Sequence, residues 1–242
     1  MPEIQIATDR GPLPAYLASP EGEGRRPGVV VIHDIFGLSP ETRRQADWLA
    51  GEGYLAVAPD LFSWGRTFTC FRAAVRALLA GTGRPFDDIA AVRAWLVEQP
   101  TCTGRAGVIG FCLGGQFALQ LAPTEGYAAS SVNYGAVPKD AERLLAGACP
   151  VIGSYGGRDR ALRSAPARLD RALTVNGVDH EIRVYPAAGH GFMNDHRPAE
   201  TTIVQKVIMA VTPGGGYHEP STRDARRRIV EFFDRHLSAP RA

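Results

Sequence analysis

Short, unbroken apolar runs separated by longer helix-like segments constrain this chain more than any other feature. Residues 28–33 (GVVVIH), 55–60 (LAVAPD) and 106–111 (AGVIGF) show no alternation of apolar and polar side chains. A strand with one face in water alternates, whereas a strand of a parallel sheet is covered on both faces and is apolar throughout. The pattern therefore predicts an α/β protein with a mostly parallel central sheet and helices on both faces.

The rest of the sequence fits the same alternation. Residues 4–8 and 14–19 predict a short opening hairpin, and Ser39 is a helix cap directly before a segment with helical apolar spacing. Further strands are predicted at 128–135, 150–157 and 180–186, and helices at 39–54, 71–80, 86–100, 113–122 and 225–237. A chain of 242 residues suffices for one large domain, and we expect residues 1–242 to form it.

Charge, hydropathy and cysteine spacing exclude several classes of partner. The 27 Lys and Arg residues are scattered and nearly balanced by 25 Asp and Glu residues, so binding to nucleic acid is not expected. No apolar run approaches the roughly 20 residues that cross a bilayer, and the first residues lack the pattern of a secretory signal, so we expect a cytoplasmic protein. The 4 cysteines include no CxxC pair and belong to no zinc-type cluster. Free thiols and no metal are expected.

One cysteine lies in a pattern that indicates a nucleophile. Residues 110–114 (GFCLG) have the G-x-S-x-G spacing of a nucleophile elbow with Cys112 in place of serine, between a predicted strand and a predicted helix. The dipole at a helix N-terminus favours a thiolate over a thiol. The N–H of Leu113 is then expected to form half of an oxyanion hole. The other interpretation of Cys112 is a buried structural residue, which is the interpretation we give to the remaining cysteines.

A base and an acid are expected to follow the nucleophile in the chain, each at the end of a strand. Asp159 follows the predicted strand 150–157, and His190, between two glycines, follows the predicted strand 180–186. Asp159 alone fits an ordinary turn, whereas His190, with a glycine on each side, does not fit a packed core histidine; together with Cys112 they complete a Cys-His-Asp constellation.

These motifs together resemble the dienelactone hydrolase family of α/β-hydrolases, over roughly residues 4–238. The matching segments are HDIFG (33–37), APDL (58–61), GFCLGG (110–115), the turn at 156–159 and AGHGF (188–192). The resemblance implies the α/β-hydrolase fold and a Cys112–His190–Asp159 triad that acts on esters or lactones. It also implies that the N–H of Ile35 completes the oxyanion hole with that of Leu113.

The resemblance further implies a role for Asp34, while residue 194 departs from the family pattern. An acidic residue at the position of Asp34, glutamate in dienelactone-cleaving members, contacts the resting thiol and modulates its ionisation; the alternative is a helix cap. Those members carry an arginine four residues beyond the catalytic histidine, where this chain has Asn194. An amide cannot form the bidentate pair that a guanidinium forms with a carboxylate. A neutral ester or lactone is therefore at least as plausible a substrate as dienelactone, unless another cation, from Arg66, Arg72 or Arg76, contributes.

Four residues are predicted to contact the substrate, although Asn194 also fits a plain turn: Phe36, Tyr134, Phe192 and Asn194. The segment 195–222, with its Gly-rich stretch at 213–221, predicts either a flap that presents Tyr217 or His218 to the substrate or a surface excursion. The expected partner is a small ester or lactone, with no cofactor and no membrane, and the chain is expected to be a monomer or a small homo-oligomer.

Two other functions fit parts of the sequence. GFCLGGQ resembles the elbow of class I glutamine amidotransferases, but those enzymes pair the cysteine with a His-x-Glu motif, and no histidine here has glutamate two residues later. A non-catalytic relative that only binds a small ligand is the second alternative, against which the complete set of triad residues argues.

Overall fold

The computed structural model describes residues 3–197, 199–201, 206 and 216–238. Within them lies one eight-stranded sheet in the order β1-β2-β4-β3-β5-β6-β7-β8. Strands β1 and β2 pair with each other antiparallel and β2 joins β4 antiparallel, while β3 to β8 run parallel. The strands are β1 Glu3–Thr8, β2 Gly11–Ala18, β3 Arg26–Ile32, β4 Leu55–Pro59, β5 Cys102–Phe111, β6 Tyr127–Asn133, β7 Val151–Gly156 and β8 His180–Tyr185. The predicted hairpin and mostly parallel sheet are confirmed.

The helices follow the predicted order, with two starts displaced by four residues or more. They are α1 Pro40–Gly51, α2 Thr67–Ala80, α3 Arg84–Val97, α4 Leu113–Leu121, α5 Ala141–Leu144, α6 Ala165–Val175 and α7 Glu219–Leu237. Helix α2 begins four residues before the prediction and α7 begins six before it. The first turn of α7 is polar and so lacks apolar periodicity, but the side chain of His218 caps it by accepting the Ser221 N–H. The predicted cap of α1 is confirmed, since Ser39 Oγ accepts the Thr42 N–H.

Helices cover the sheet on both faces, as the unbroken apolar strands predict. In β3, Val30 and Ile32 pack into a core with α2, α3 and α4, whereas Val29 and Val31 pack into a second core with α1 and α7. All four side chains are fully buried. Burying such a side chain on folding contributes about 1.5–3 kcal/mol, so both layers stabilise the sheet. Within the described ranges, no helix is both long and apolar enough to pass through a bilayer.

Candidate active site

Cys112 occupies a sharp turn between β5 and α4. Its backbone has φ 54° and ψ −112°, a strained conformation for a residue with a side chain. The flanking glycines make this turn possible. A Cβ on Gly110 would lie 2.0 Å from the Gly114 carbonyl oxygen, and a Cβ on Gly114 would lie 2.3 Å from the Ile32 carbonyl oxygen. Steric exclusion therefore accounts for the spacing of the elbow.

A continuous chain of hydrogen bonds joins Cys112, His190 and Asp159. The His190 Nε2 lies 3.1 Å from the Cys112 Sγ, and the Nδ1 lies 2.7 Å from the Asp159 Oδ2. The other carboxylate oxygen of Asp159 accepts the N–H groups of Ala161 and Leu162 at 3.1 and 3.3 Å. The acid is thereby fixed by the loop after β7, and the three residues meet at the carboxyl end of the sheet.

The His190 and Asp159 side chains each stabilise the charged form of the other. Burial alone would lower the pKa of His190, but its hydrogen bonds to Asp159 and Cys112 outweigh burial and raise that pKa to about 10. Burial would likewise raise the pKa of Asp159, yet the bonds from His190 and two backbone N–H groups hold it below its usual value. The His190 Nε2, within hydrogen-bond distance of the sulfur, is placed to exchange a proton with it.

Two backbone N–H groups lie just beyond the ends of neighbouring strands. Ile32 of β3 pairs with Gly110 of β5, and Ile35 and Leu113 each lie three residues beyond that pair. Leu113 is the first residue of α4, where no intrahelical acceptor exists for its N–H. Neither the Leu113 N–H nor the Ile35 N–H has a hydrogen-bond acceptor among the described residues. The pair can therefore donate to an oxygen of a ligand.

The Asp34 carboxylate is hydrogen-bonded to groups other than the thiol. Its Oδ1 accepts the Phe36 N–H at 2.8 Å, and its Oδ2 accepts bonds from Asn194 Nδ2 at 2.8 Å and His196 Nε2 at 2.9 Å. Across the described residues Asp34 has no hydrogen bond to Cys112. Asp34 is not the cap of α1, because Ser39 fills that role. Control of the thiol by Asp34 stays a prediction.

Asn194 is a buried link rather than a free amide. Its Oδ1 accepts the Tyr134 hydroxyl at 2.6 Å, and its Nδ2 donates to Asp34. The Tyr134 ring packs edge-on against His190 with centroids 5.4 Å apart and against Phe192 at 5.6 Å. Tyr134 is 1% exposed, Phe192 0% and Asn194 7%. Contact of these three side chains with substrate stays a prediction, for which little accessible surface is available in the resting protein.

His196 is the site residue that the sequence did not reveal. It lies in an irregular loop six residues after His190, where no periodicity or motif singles it out. Its ring packs edge-on against the partly exposed Phe36 with centroids 5.0 Å apart. Only its pairing with Asp34, 162 residues earlier in the chain, assigns it to the site.

The remaining candidates lie at the edge of the site or beyond it. Tyr217 is exposed, and His218 caps α7 while its N–H donates to the Phe192 carbonyl at 2.9 Å. Half of the segment predicted as a flap (198, 202–205 and 207–215) lies outside the described residues. Arg66, Arg72 and Arg76 are exposed in or just before α2. Among the described residues no three His, Cys, Asp or Glu side chains are grouped to hold a metal ion.

Comparisons with known proteins find relatives along nearly the whole chain. The sequence profile of the dienelactone hydrolase family matches residues 13–237. A carboxymethylenebutenolidase of Pseudomonas sp. strain P51 is 32% identical, over 93% of this chain and 91% of the relative. A solved structure described as m3DLH is 26% identical, with a TM-score of 0.74 and 98% of each chain covered.

A second solved structure shares the fold at lower identity. It is the dienelactone hydrolase-like promiscuous phosphotriesterase P91 from metagenomic libraries, which has a TM-score of 0.80 at 20% identity over 98% of each chain. Together with the mostly parallel eight-stranded sheet, these likenesses confirm the predicted α/β-hydrolase fold.

Proposed function

Because this chain belongs to the dienelactone hydrolase family, we propose that it hydrolyses carboxylic esters or lactones with Cys112 as the nucleophile. The observation that carries the proposal is the unbroken hydrogen-bonded chain from Asp159 through His190 to the Cys112 sulfur. The free N–H groups of Ile35 and Leu113 support it, since an acyl-transfer site needs donors for the oxyanion.

The geometry supports a two-stage reaction. The Cys112 thiolate attacks the carbonyl carbon, and the electron pair of the C=O bond moves to an oxyanion held by the Ile35 and Leu113 N–H groups. As the tetrahedral intermediate collapses, the C–O bond breaks and His190 donates its proton to the leaving alkoxide. The result is a thioester on Cys112 and an alcohol.

The second stage releases the acid. Neutral His190 now takes a proton from water, the resulting hydroxide adds to the thioester carbonyl, and the C–S bond breaks to return the Cys112 thiolate beside an imidazolium. Asp159 keeps the imidazole in one orientation and stabilises its positive form in both stages. In this scheme Asp34 modulates the ionisation of the Cys112 thiol while substrate is bound, and an unchanged pH dependence of kcat in Asp34→Asn would contradict that role.

The acyl group is proposed to be neutral. Asn194 is tied to Tyr134 and Asp34, and the His196 ring is paired with Asp34, so neither residue is free to hold a carboxylate. The arginines in and before α2 have no hydrogen bond to the triad in the described part of the chain. p-Nitrophenyl butyrate is expected to react faster than p-nitrophenyl hemisuccinate, which has a similar length and carries a carboxylate.

Substitution of the cysteines tests the proposal. Wild-type protein is expected to hydrolyse p-nitrophenyl esters and simple lactones, and Cys112→Ala to lose that activity. Cys149→Ala is the matched control, because burial raises the pKa of Cys149 to about 12 and keeps its thiol protonated. Ligand binding without turnover across the panel would favour a binding protein, and glutamine hydrolysis would favour an amidotransferase.

A reducing compartment suits this chemistry. Cys112, Cys70, Cys102 and Cys149 are all unpaired. Free thiols persist where disulfides are kept reduced, so we propose a cytoplasmic location. The working form is proposed to be a monomer or a small homo-oligomer.

A further inference from the structure

A buried polar cluster lies between the loop after β3 and the loop after His190. We call Tyr134, Asn194, Asp34 and His196 the Asp34 cluster. The Tyr134 hydroxyl donates to Asn194, and Asn194 and His196 both donate to the same oxygen of Asp34. The proposed reaction uses none of the side-chain atoms of Tyr134, Asn194 or His196, so their conformation needs another explanation.

Helix α1 fixes the segment that carries His196. The Gln45 Nε2 donates to the Met193 carbonyl at 2.9 Å, and the Arg44 guanidinium donates to the Asp195 carbonyl at 2.7 Å. Arg44 is itself held by Glu41, which is 3% exposed. The backbone on either side of Asn194 is therefore anchored to α1, and the His196 ring extends from a fixed base.

His196 contacts both ends of the tripeptide that contains Ile35. Its Nε2 lies 2.9 Å from the Asp34 carboxylate, and its ring packs against the Phe36 ring. The other oxygen of the same carboxylate accepts the Phe36 N–H, which closes a tight turn over residues 34–36. The Ile35 N–H, proposed as an oxyanion donor, is carried inside this turn.

The charges around His196 favour its pairing with the Asp34 carboxylate. The His196 and Asp34 side chains are 10% and 6% exposed, so each charge depends on the other. The titratable groups that face His196 are Asp34, Glu41 and Arg44. Burial and Arg44 lower the pKa of His196, but Asp34, with a smaller contribution from Glu41, raises it above its usual value. A buried carboxylate deprived of such a donor is strongly destabilised.

We propose that His196 is a positioning residue that fixes the oxyanion hole: by holding the Asp34 carboxylate it sets the turn over residues 34–36 and thereby aims the Ile35 N–H at the substrate oxygen. The inference rests on the proposed hydrolysis for its catalytic consequence. This clamp, which consists of the His196–Asp34 bond and the turn over residues 34–36, is a property of the resting protein and can be measured without substrate.

The test compares two amides of different reach. In His196→Gln the side-chain nitrogen reaches the position of Nε2 and keeps the bond to Asp34, whereas in His196→Asn it reaches only that of Nδ1 and loses the bond. Hydrogen exchange at the Phe36 amide is expected to be at least about tenfold faster in His196→Asn and near wild type in His196→Gln. The matched control is His180→Asn, which removes a His–Asp pair on β8 away from the site.

Kinetics then distinguish an effect on the oxyanion hole from an effect on the Cys112 thiol. For p-nitrophenyl butyrate, His196→Asn is expected to lower kcat roughly 10- to 100-fold, somewhat less than the outright loss of an oxyanion donor, with little change in KM. Alkylation of Cys112 by iodoacetamide is expected to stay within about twofold, because displacement at carbon develops no oxyanion. His196→Gln recovers most of kcat, and His180→Asn leaves it unchanged.

Several results would overturn the inference. Unchanged hydrogen exchange at the Phe36 amide in His196→Asn would show that His196 does not hold the turn, whether or not the wild-type protein hydrolyses esters. A slowed alkylation in parallel with kcat would show that His196 acts through the thiol instead. If exchange responds as expected but the wild-type protein hydrolyses no ester or lactone, the proposed function fails and the assignment of Ile35 as an oxyanion donor fails with it, while the clamp stands.

Discussion

The nucleophile elbow and the Asp34 cluster both contact the His190 ring and are built in opposite ways. The elbow is made from residues 110–114, which are adjacent in sequence, and depends on the absence of two side chains. The cluster joins residues that are 60 to 162 positions apart and depends on polar atoms that satisfy one another. Substitutions in the elbow therefore act through sterics and reactivity, whereas substitutions in the cluster leave a buried partner without its bond.

The largest expected effect comes from replacing Asp159, the acid that orients the His190 imidazole. Asp159→Asn is expected to lower kcat/KM about 10⁴-fold, because an amide in place of the carboxylate favours the wrong imidazole tautomer and no longer stabilises the imidazolium. Steady-state hydrolysis of p-nitrophenyl butyrate measures this. Asp170→Asn, which affects the His180 pair on the surface, is the control and should keep full activity. A loss below tenfold in Asp159→Asn would contradict the triad.

The next largest effect is expected on stability, from a substitution in the nucleophile elbow. Gly114→Ala places a Cβ 2.3 Å from the Ile32 carbonyl oxygen and is expected to lower the free energy of unfolding by about 3 kcal/mol or more. Gly51→Ala is the control, since a Cβ at this position at the end of α1 meets no atom within 4 Å. That variant should stay within about 0.5 kcal/mol of wild type. Urea denaturation measures both free energies of unfolding, and equal stability of the two variants would refute the steric account.

A smaller effect is expected from the Asp34 cluster. Tyr134→Phe leaves the Asn194 Oδ1 without its donor and is expected to lower the free energy of unfolding by about 1–3 kcal/mol. Tyr127→Phe is the matched control, because the buried Tyr127 hydroxyl has no partner among the described residues. Similar denaturation midpoints for both variants would show that the bond between Tyr134 and Asn194 contributes nothing.

The same contrast explains how much the sequence could predict. Strands β3, β4 and β5 are continuous apolar runs, and Cys112, Asp159 and His190 each follow a strand, so local pattern and fold class together suffice for them. A departure from the family motif singles out Asn194, but local sequence does not predict its burial, because its partners Tyr134 and Asp34 are distant in the chain. His196 lies in a loop without periodicity, and its function depends on a partner that local patterns cannot identify.

The pH dependence of stability is the smallest and most specific test of the triad. The pKa of His190 is raised to about 10, so the folded state binds its proton more tightly than the unfolded state does. This stabilisation is complete below the unfolded pKa of about 6.5 and is lost as the pH rises through 10. Asp159→Asn removes a principal cause of the shift. The free energy of unfolding should therefore fall less between pH 7 and pH 10 in Asp159→Asn than in wild type, and parallel curves would contradict the ion pair.

Rapid-quench mass spectrometry of the protein during hydrolysis of p-nitrophenyl acetate tests the central claim most directly. The account predicts a transient mass increase of one acetyl group, mapped by peptide analysis to Cys112, that forms and decays at rates compatible with turnover and is missing in Cys112→Ala. Acetylation of a different residue at the turnover rate, or undiminished hydrolysis by Cys112→Ala, would contradict it.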